Sequence, residues 1–140
     1  MKTYVTDANV LFSCLLSGNE KYKRIFKEFR LYLPDFALSE IQEHQEEILS
    51  KTKIPSSELR AYTLAVFDYL IVVPNFLITT ESYLAAFRLC KDIDEDDTAY
   101  LALSIEFDLP LLTNDRILAE GLKRKGYTNV ITLTELFDML

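Results

Sequence analysis

The chain is poor in the residues that break or cross-link a fold. Three glycines, four prolines and two cysteines are spread over 140 residues. So little Gly and Pro argues against long disordered linkers. Cys14 and Cys90 lie far apart, without metal-type spacing and too few for a disulfide framework. Reduced thiols in the cytoplasm are the expectation. The single histidine, His44, has no second His or Cys ligand to build a zinc centre with. A Ser–His–Asp triad lacks support too, since no nucleophile elbow is present. The scattered glycines form no phosphate-cradling loop. No apolar run approaches the ~20 residues that span a membrane. A strand-like run begins at Thr3, which leaves no leader-length apolar stretch before it, so no signal peptide is expected.

What is present suffices for one core. Hydrophobic residues make up 49% of the chain and charged residues 26%, an ordinary share for one domain covering residues 1–140. The 15 basic and 22 acidic residues give a net charge of −7. That balance argues against broad, non-specific nucleic-acid binding over the whole surface. It leaves room for local basic groups to hold a strand. Candidates are Lys21, Lys23, Arg24, Lys27, Arg116, Lys123, Arg124 and Lys125, which are otherwise solvated helix faces.

Short β-rich runs alternate with longer helical patterns. The spacing predicts strands at 3–7, 31–34, 70–73, 109–113 and 129–132. Capping signals predict the helices between them. Ser17 to Glu20 reads as a capping box for a helix to about Arg30, and Ser39 to Gln42 as one for a helix to about Ser50. Pro55-Ser56-Ser57 opens a helix to about Tyr69, and Thr79 or Thr80 one to about Lys91. Asp94 to Asp97 opens a helix ending near Phe107. Asp115 opens one stopped by Gly126, and Thr132 to Glu135 caps the last. Five strands separated by helices imply an α/β fold with a parallel sheet covered on both faces.

Four acids stand where that fold would gather them. Asp7 ends the first strand and Asp115 follows the fourth. Glu40 comes half a dozen residues after the second, and Asp97 opens the apolar stretch Ala99 to Leu103. Carboxyl ends of parallel strands form the crevice where such sheets bind ligands. Each acid has a plainer reading as a helix cap or first-turn residue. The surplus is what matters. Asp92 to Asp97 packs five carboxylates into six residues, more than capping needs. Clustered carboxylates repel one another unless a cation lies between them, and a hard divalent ion suits oxygen ligands. Asp97 ranks first in that run because it precedes Leu101 by one helical turn, with Asp94 and Asp96 as alternates.

Four segments, in order, resemble the motifs of the PIN-domain nucleases. They are Thr6 to Leu11, Leu33 to Ile41, Asp94 to Leu103 and Leu109 to Asp115. The resemblance is closest to small prokaryotic VapC-like toxin ribonucleases. It implies a three-layer α/β/α sandwich whose five-stranded parallel sheet has the order 3-2-1-4-5. It also implies that Asp7, Glu40, Asp97 and Asp115 are the catalytic acids. Asn9 and Thr113 would support them, with Asp96 or Asp94 sharing the third position. Asp7, Asp97 and Asp115 would hold Mg²⁺ or Mn²⁺, and RNA would be the substrate. A basic antitoxin and a second copy of the chain are the partners to expect. Tyr62, Phe67 and Tyr69 are candidates for such a contact, though as core residues they need no partner. The rival reading from another class is a non-catalytic RNA- or protein-binding module on the same fold. A phosphoacceptor receiver domain fits worse, because Asp7 has no neighbouring acid pair and the fifth strand carries no lysine.

Overall fold

The computed structural model describes residues 2–140. Among them, five strands form one parallel sheet: β1 (Thr3–Thr6), β2 (Arg30–Pro34), β3 (Leu70–Val73), β4 (Leu111–Thr113) and β5 (Val130–Thr132). Their order is β3-β2-β1-β4-β5, the order expected. The central strands β1 and β4 are buried along most of their length, as strands covered on both faces must be, while the edge strand β3 leaves Ile71 and Val72 exposed. Tyr4, Val5 and Thr6 are all buried, and so are Leu111, Leu112 and Thr113. Consecutive strand residues point to opposite faces, so helices cover both sides of the sheet centre.

Nine helices surround the sheet among the described residues. They are α1 (Ala8–Ser17), α2 (Glu20–Glu28), α3 (Phe36–Glu43), α4 (Gln45–Lys51), α5 (Leu59–Phe67), α6 (Thr80–Cys90), α7 (Thr98–Phe107), α8 (Arg116–Arg124) and α9 (Leu133–Asp138). Helix α7 is the most deeply set, with Ala99 through Ser104 all buried. It packs against β1 and β2. A fully buried leucine such as Leu101 stabilises the fold by roughly 1.5–3 kcal/mol through the water it sheds. Cys14 and Cys90 are free thiols inside this core, as their separation suggested. No helix of the described residues is long and apolar enough to cross a membrane.

Two capping assignments differ from expectation. Asn19, not Ser17, caps α2; its side chain accepts from the Lys21 N–H at 2.9 Å. Ser17 instead ends α1, where Gly18 turns the chain with φ +63° and donates to Cys14 O at 3.0 Å. A side chain at Gly18 would meet Ile54 Cγ1 at 2.7 Å, so glycine serves both the turn and the close approach. The second difference moves Glu40. Helix α3 starts directly after β2, so Ser39 lies inside it and its hydroxyl donates back to Phe36 O at 2.8 Å. The chain then breaks at His44 before α4. The Ser-x-x-Gln spacing is met inside a helix as readily as at its start, and here Pro34 had already ended the strand. The final capping box is formed as read, with Thr132 and Glu135 bonding reciprocally.

Candidate metal centre

Strand register places the first acid. Val5 pairs with Leu111 and Thr6 with Leu112, so Asp7 and Thr113 emerge side by side at the carboxyl edge. The Asp7 N–H still donates to Leu112 O at 3.2 Å. Its side chain is 1% exposed and both oxygens are engaged. Oδ1 accepts from the Val10 N–H at 3.2 Å, capping α1, and Oδ2 accepts from the Thr113 hydroxyl at 2.6 Å. Burial pushes the Asp7 carboxyl up to about 6. The two hydrogen bonds pull against that rise, and the charges of Asp115 and Glu40 add to it.

Thr113 also accepts from the Asp115 N–H at 3.0 Å, so one hydroxyl ties the ends of β1 and β4 together. Asp115 caps α8 by accepting from the Leu118 N–H at 3.1 Å. The helix cap and the role in the cluster therefore coexist in one side chain.

Asp97 comes from the segment that leads into α7. A short 3₁₀ turn, Glu95–Asp97, leads into α7 and leaves Asp97 only 9% exposed. Burial pushes its carboxyl up to about 8, and the charges of Asp7, Asp94, Asp115 and Glu40 push in the same direction. One carboxylate oxygen each from Asp94, Asp97 and Asp115 lies within 4.8 Å of the other two. Asp94 is exposed at the mouth, Asp97 is buried and Asp115 is half-buried. Asp94 also caps the 3₁₀ turn by accepting from the Asp96 N–H at 3.0 Å.

Glu40 completes the group from α3. It accepts a hydrogen bond from the Tyr100 hydroxyl. Burial raises its carboxyl and the charges of Asp96 and Glu43 raise it further, against the Tyr100 bond. Tyr100 is 2% exposed, and burial together with this bond raises its own hydroxyl. In the sequence Tyr100 lies within the apolar stretch Ala99 to Leu103, which gives no sign of a polar role. The available signal was its spacing, three residues after Asp97 and hence on the same helix face.

The other expected residues separate. Asn9 is exposed in the first turn of α1 and bonds to none of the acids among the described residues. Asp96 points outward, and its charge acts on Glu40. His44 is a surface residue held by Glu47 at 3.2 Å and by the edge of Phe12.

The donor set fits a hard divalent cation. All the converging atoms are carboxylate oxygens, and their mutual repulsion, which adds to burial in raising the Asp97 and Asp7 carboxyls, is what such an ion would relieve. The PIN domain family profile matches residues 5–134, a span that contains every one of these acids. The chain belongs to the PIN-domain family.

Solved structures share this fold at low sequence identity. PAE2754 of Pyrobaculum aerophilum aligns with TM-score 0.68 and 16% identity, covering 99% of this chain and 94% of that one. A toxin–antitoxin complex of Klebsiella pneumoniae aligns with TM-score 0.60 and 16% identity over 92% and 96% of the two chains. VapBC2 of Rickettsia felis, bound to a DNA fragment from its promoter, aligns with TM-score 0.59 and 16% identity over 93% and 96%. No curated protein sequence matches this PIN-domain chain.

Proposed function

We propose that this PIN domain is a nuclease that hydrolyses RNA phosphodiester bonds with Mg²⁺ or Mn²⁺. The observation that carries the reading is the approach of Asp94, Asp97 and Asp115 within 4.8 Å, backed by buried Asp7. Asp97 and Asp115 would hold the ion. Asp94 would join them at the mouth, and Asp7 would contribute through the lone pairs its two hydrogen bonds leave open. When bound, a divalent ion polarises the phosphate and makes hydroxide available near neutral pH.

The protein's own groups supply the rest. Asp7 and Thr113 keep the ends of β1 and β4 in register. Glu40, aimed by Tyr100, orients the attacking water and accepts its proton. Burial of Asp97 keeps competing water from its inner oxygen. The test is RNA cleavage with and without chelator. Activity that persists in chelator, or that survives both Asp7→Asn and Asp97→Asn, would sink the metal mechanism. RNA binding without cleavage in Mn²⁺ would favour the non-catalytic module.

A toxin role with a basic antitoxin is supported by the two structural neighbours that are toxin–antitoxin assemblies. A cationic side chain from that partner would neutralise the same acids. A groove of about 220 Å³ between α2 and α5, lined by Phe26, Tyr62, Val66 and Tyr69 together with Lys23 and Lys27, offers an apolar seat for a part of such a segment that carries no positive charge. Homodimer formation rests on exposed apolar groups elsewhere. Leu84 and Phe87 share one face of α6, and Phe76 beyond β3 is 84% exposed. Light scattering on wild type and on Phe87→Glu measures this, and a monomer at all concentrations would exclude the dimer.

A further inference from the structure

A second recess opens beside the acid cluster. It has a volume of about 470 Å³, and Asp35, Phe36, Asn75, Tyr83, Glu95 and Asp96 frame it. Asp96 lines the recess and directly precedes Asp97 of the acid cluster. Phe36 is 41% exposed, a large apolar face left in water. Its ring lies 6.0 Å from that of Tyr100, tilted by 57°. Tyr100 in turn holds Glu40, so an open aromatic face sits two side chains from the acids.

The polar frame is fixed from several elements. The Tyr83 hydroxyl on α6 donates to Asn75 Oδ1. The Asn75 N–H donates to Asp35 Oδ2 at 3.1 Å, which links the turn after β3 to the end of β2. Asn75 Nδ2 is then left as a donor and Asp35 Oδ1 as an acceptor, with no partner among the described residues. The carboxylates of Asp35, Glu95 and Asp96 repel phosphate, so a nucleic-acid backbone is kept out. A flat group that offers its own donors and carries no negative charge is what the recess can hold.

Among nucleobases, guanine matches this pattern. It presents the O6 acceptor beside the N1–H and N2–H₂ donors, whereas adenine, cytosine and uracil place an acceptor where a carboxylate would need a donor. Unpaired bases are read by stacking on aromatic rings and by bonds to this edge. We propose that the recess binds a guanine base of single-stranded RNA. The base stacks on Phe36 and sets which phosphodiester lies over the acids. Asn75 Nδ2 donates to O6, Asp35 Oδ1 accepts from N1–H, and the second lone pair of Asp35 Oδ2 accepts from N2–H₂, the bond that uracil cannot make. The proposal rests on the nuclease reading, and it predicts a sequence preference that metal chemistry alone does not.

Two measurements separate the two claims. In the first, guanosine, adenosine, cytidine and uridine are titrated against ¹⁵N-labelled protein without metal. Guanosine is expected to shift Phe36, Asn75 and Tyr83 resonances selectively, and Phe36→Ala to weaken it about tenfold, the usual size of a lost base–aromatic stack. In the second, uridine oligomers carrying one G, A or C are cleaved by wild type, Phe36→Ala and Asn75→Ala. Cuts near G are expected to dominate for wild type and to lose that preference in both variants, with cutting between uridines retained. Cleavage without selective guanosine binding overturns the recess and leaves the nuclease standing. Selective guanosine binding without cleavage does the reverse. Arginine displacing guanosine, or binding four nucleosides alike, also overturns the proposal.

Discussion

The Thr113 hydroxyl donates a 2.6 Å hydrogen bond to Asp7 Oδ2, and it reaches across 106 positions of sequence to do so. Both groups are buried, at 0% and 1% exposure. The bond is therefore shielded from competing water, and the same oxygen steadies the Asp115 N–H at 3.0 Å.

Thr113→Val keeps the shape and removes the hydroxyl. Asp7 Oδ2 then loses a donor and the Asp115 N–H an acceptor, at a cost of about 1–3 kcal/mol. A thermal melt should fall by several degrees, and RNA cleavage by at least about tenfold. Thr113→Ser should recover most of both. A Val variant with wild-type melting and cleavage would show the link to be idle.

Folding stability without divalent ions should depend on pH in a definite direction. Asp97 and Asp7 have carboxyls raised from 3.8 to about 8 and about 6. The folded state thus holds protons that the unfolded chain releases. No penalty applies below about pH 4, where both states are protonated. Stability is lost as pH rises from there through 6 to 8. Asp97→Asn should flatten this decline and stabilise the fold at pH 8 by about 2 kcal/mol after allowing for solvent at the cluster mouth, seen as a higher melting temperature. A melting temperature that climbs over this interval would contradict the buried charge.

Mg²⁺ or Mn²⁺ should reverse the same decline. At pH 8 each ion is expected to raise the melting temperature of wild type by an amount that grows with the logarithm of its concentration. Asp94→Asn, Asp97→Asn and Asp115→Asn should each weaken the response, and chelator should abolish both it and cleavage. Calorimetric titration resolves the number of ions. A wild-type response in all three variants would place the ion elsewhere.

Tyr100→Phe tests how Glu40 is aimed. The ring stays packed and only the donor to Glu40 goes, so the fold should survive. That bond lowers the Glu40 carboxyl, so its loss should move the acidic limb of the cleavage profile to higher pH and reduce kcat with little change in KM. An unchanged profile would make Tyr100 a packing residue alone.

Strand positions were legible because each is a short apolar run between turn residues, and Val5 and Leu111 needed nothing more. Helix caps were less so. Ser39 satisfied a capping spacing from within α3, since sequence spacing alone does not say where a helix begins. Tyr100 was hidden for a related reason. An aromatic residue in the deeply buried α7 reads as core, and only the packing of α3 against its hydroxyl gives it a polar role.

Local chemistry determined on its own the strands, most of the helices and the positions of the acids, because period, capping and charge are properties of neighbouring residues. Which acids meet was decided by tertiary structure. Parallel register sets Asp7 beside Thr113, and the 3₁₀ turn before α7 brings Asp94 and Asp97 to Asp115 and leaves Asp96 outside that group of three. Those distances depend on how separate elements pack, and no stretch of chain contains that relation by itself.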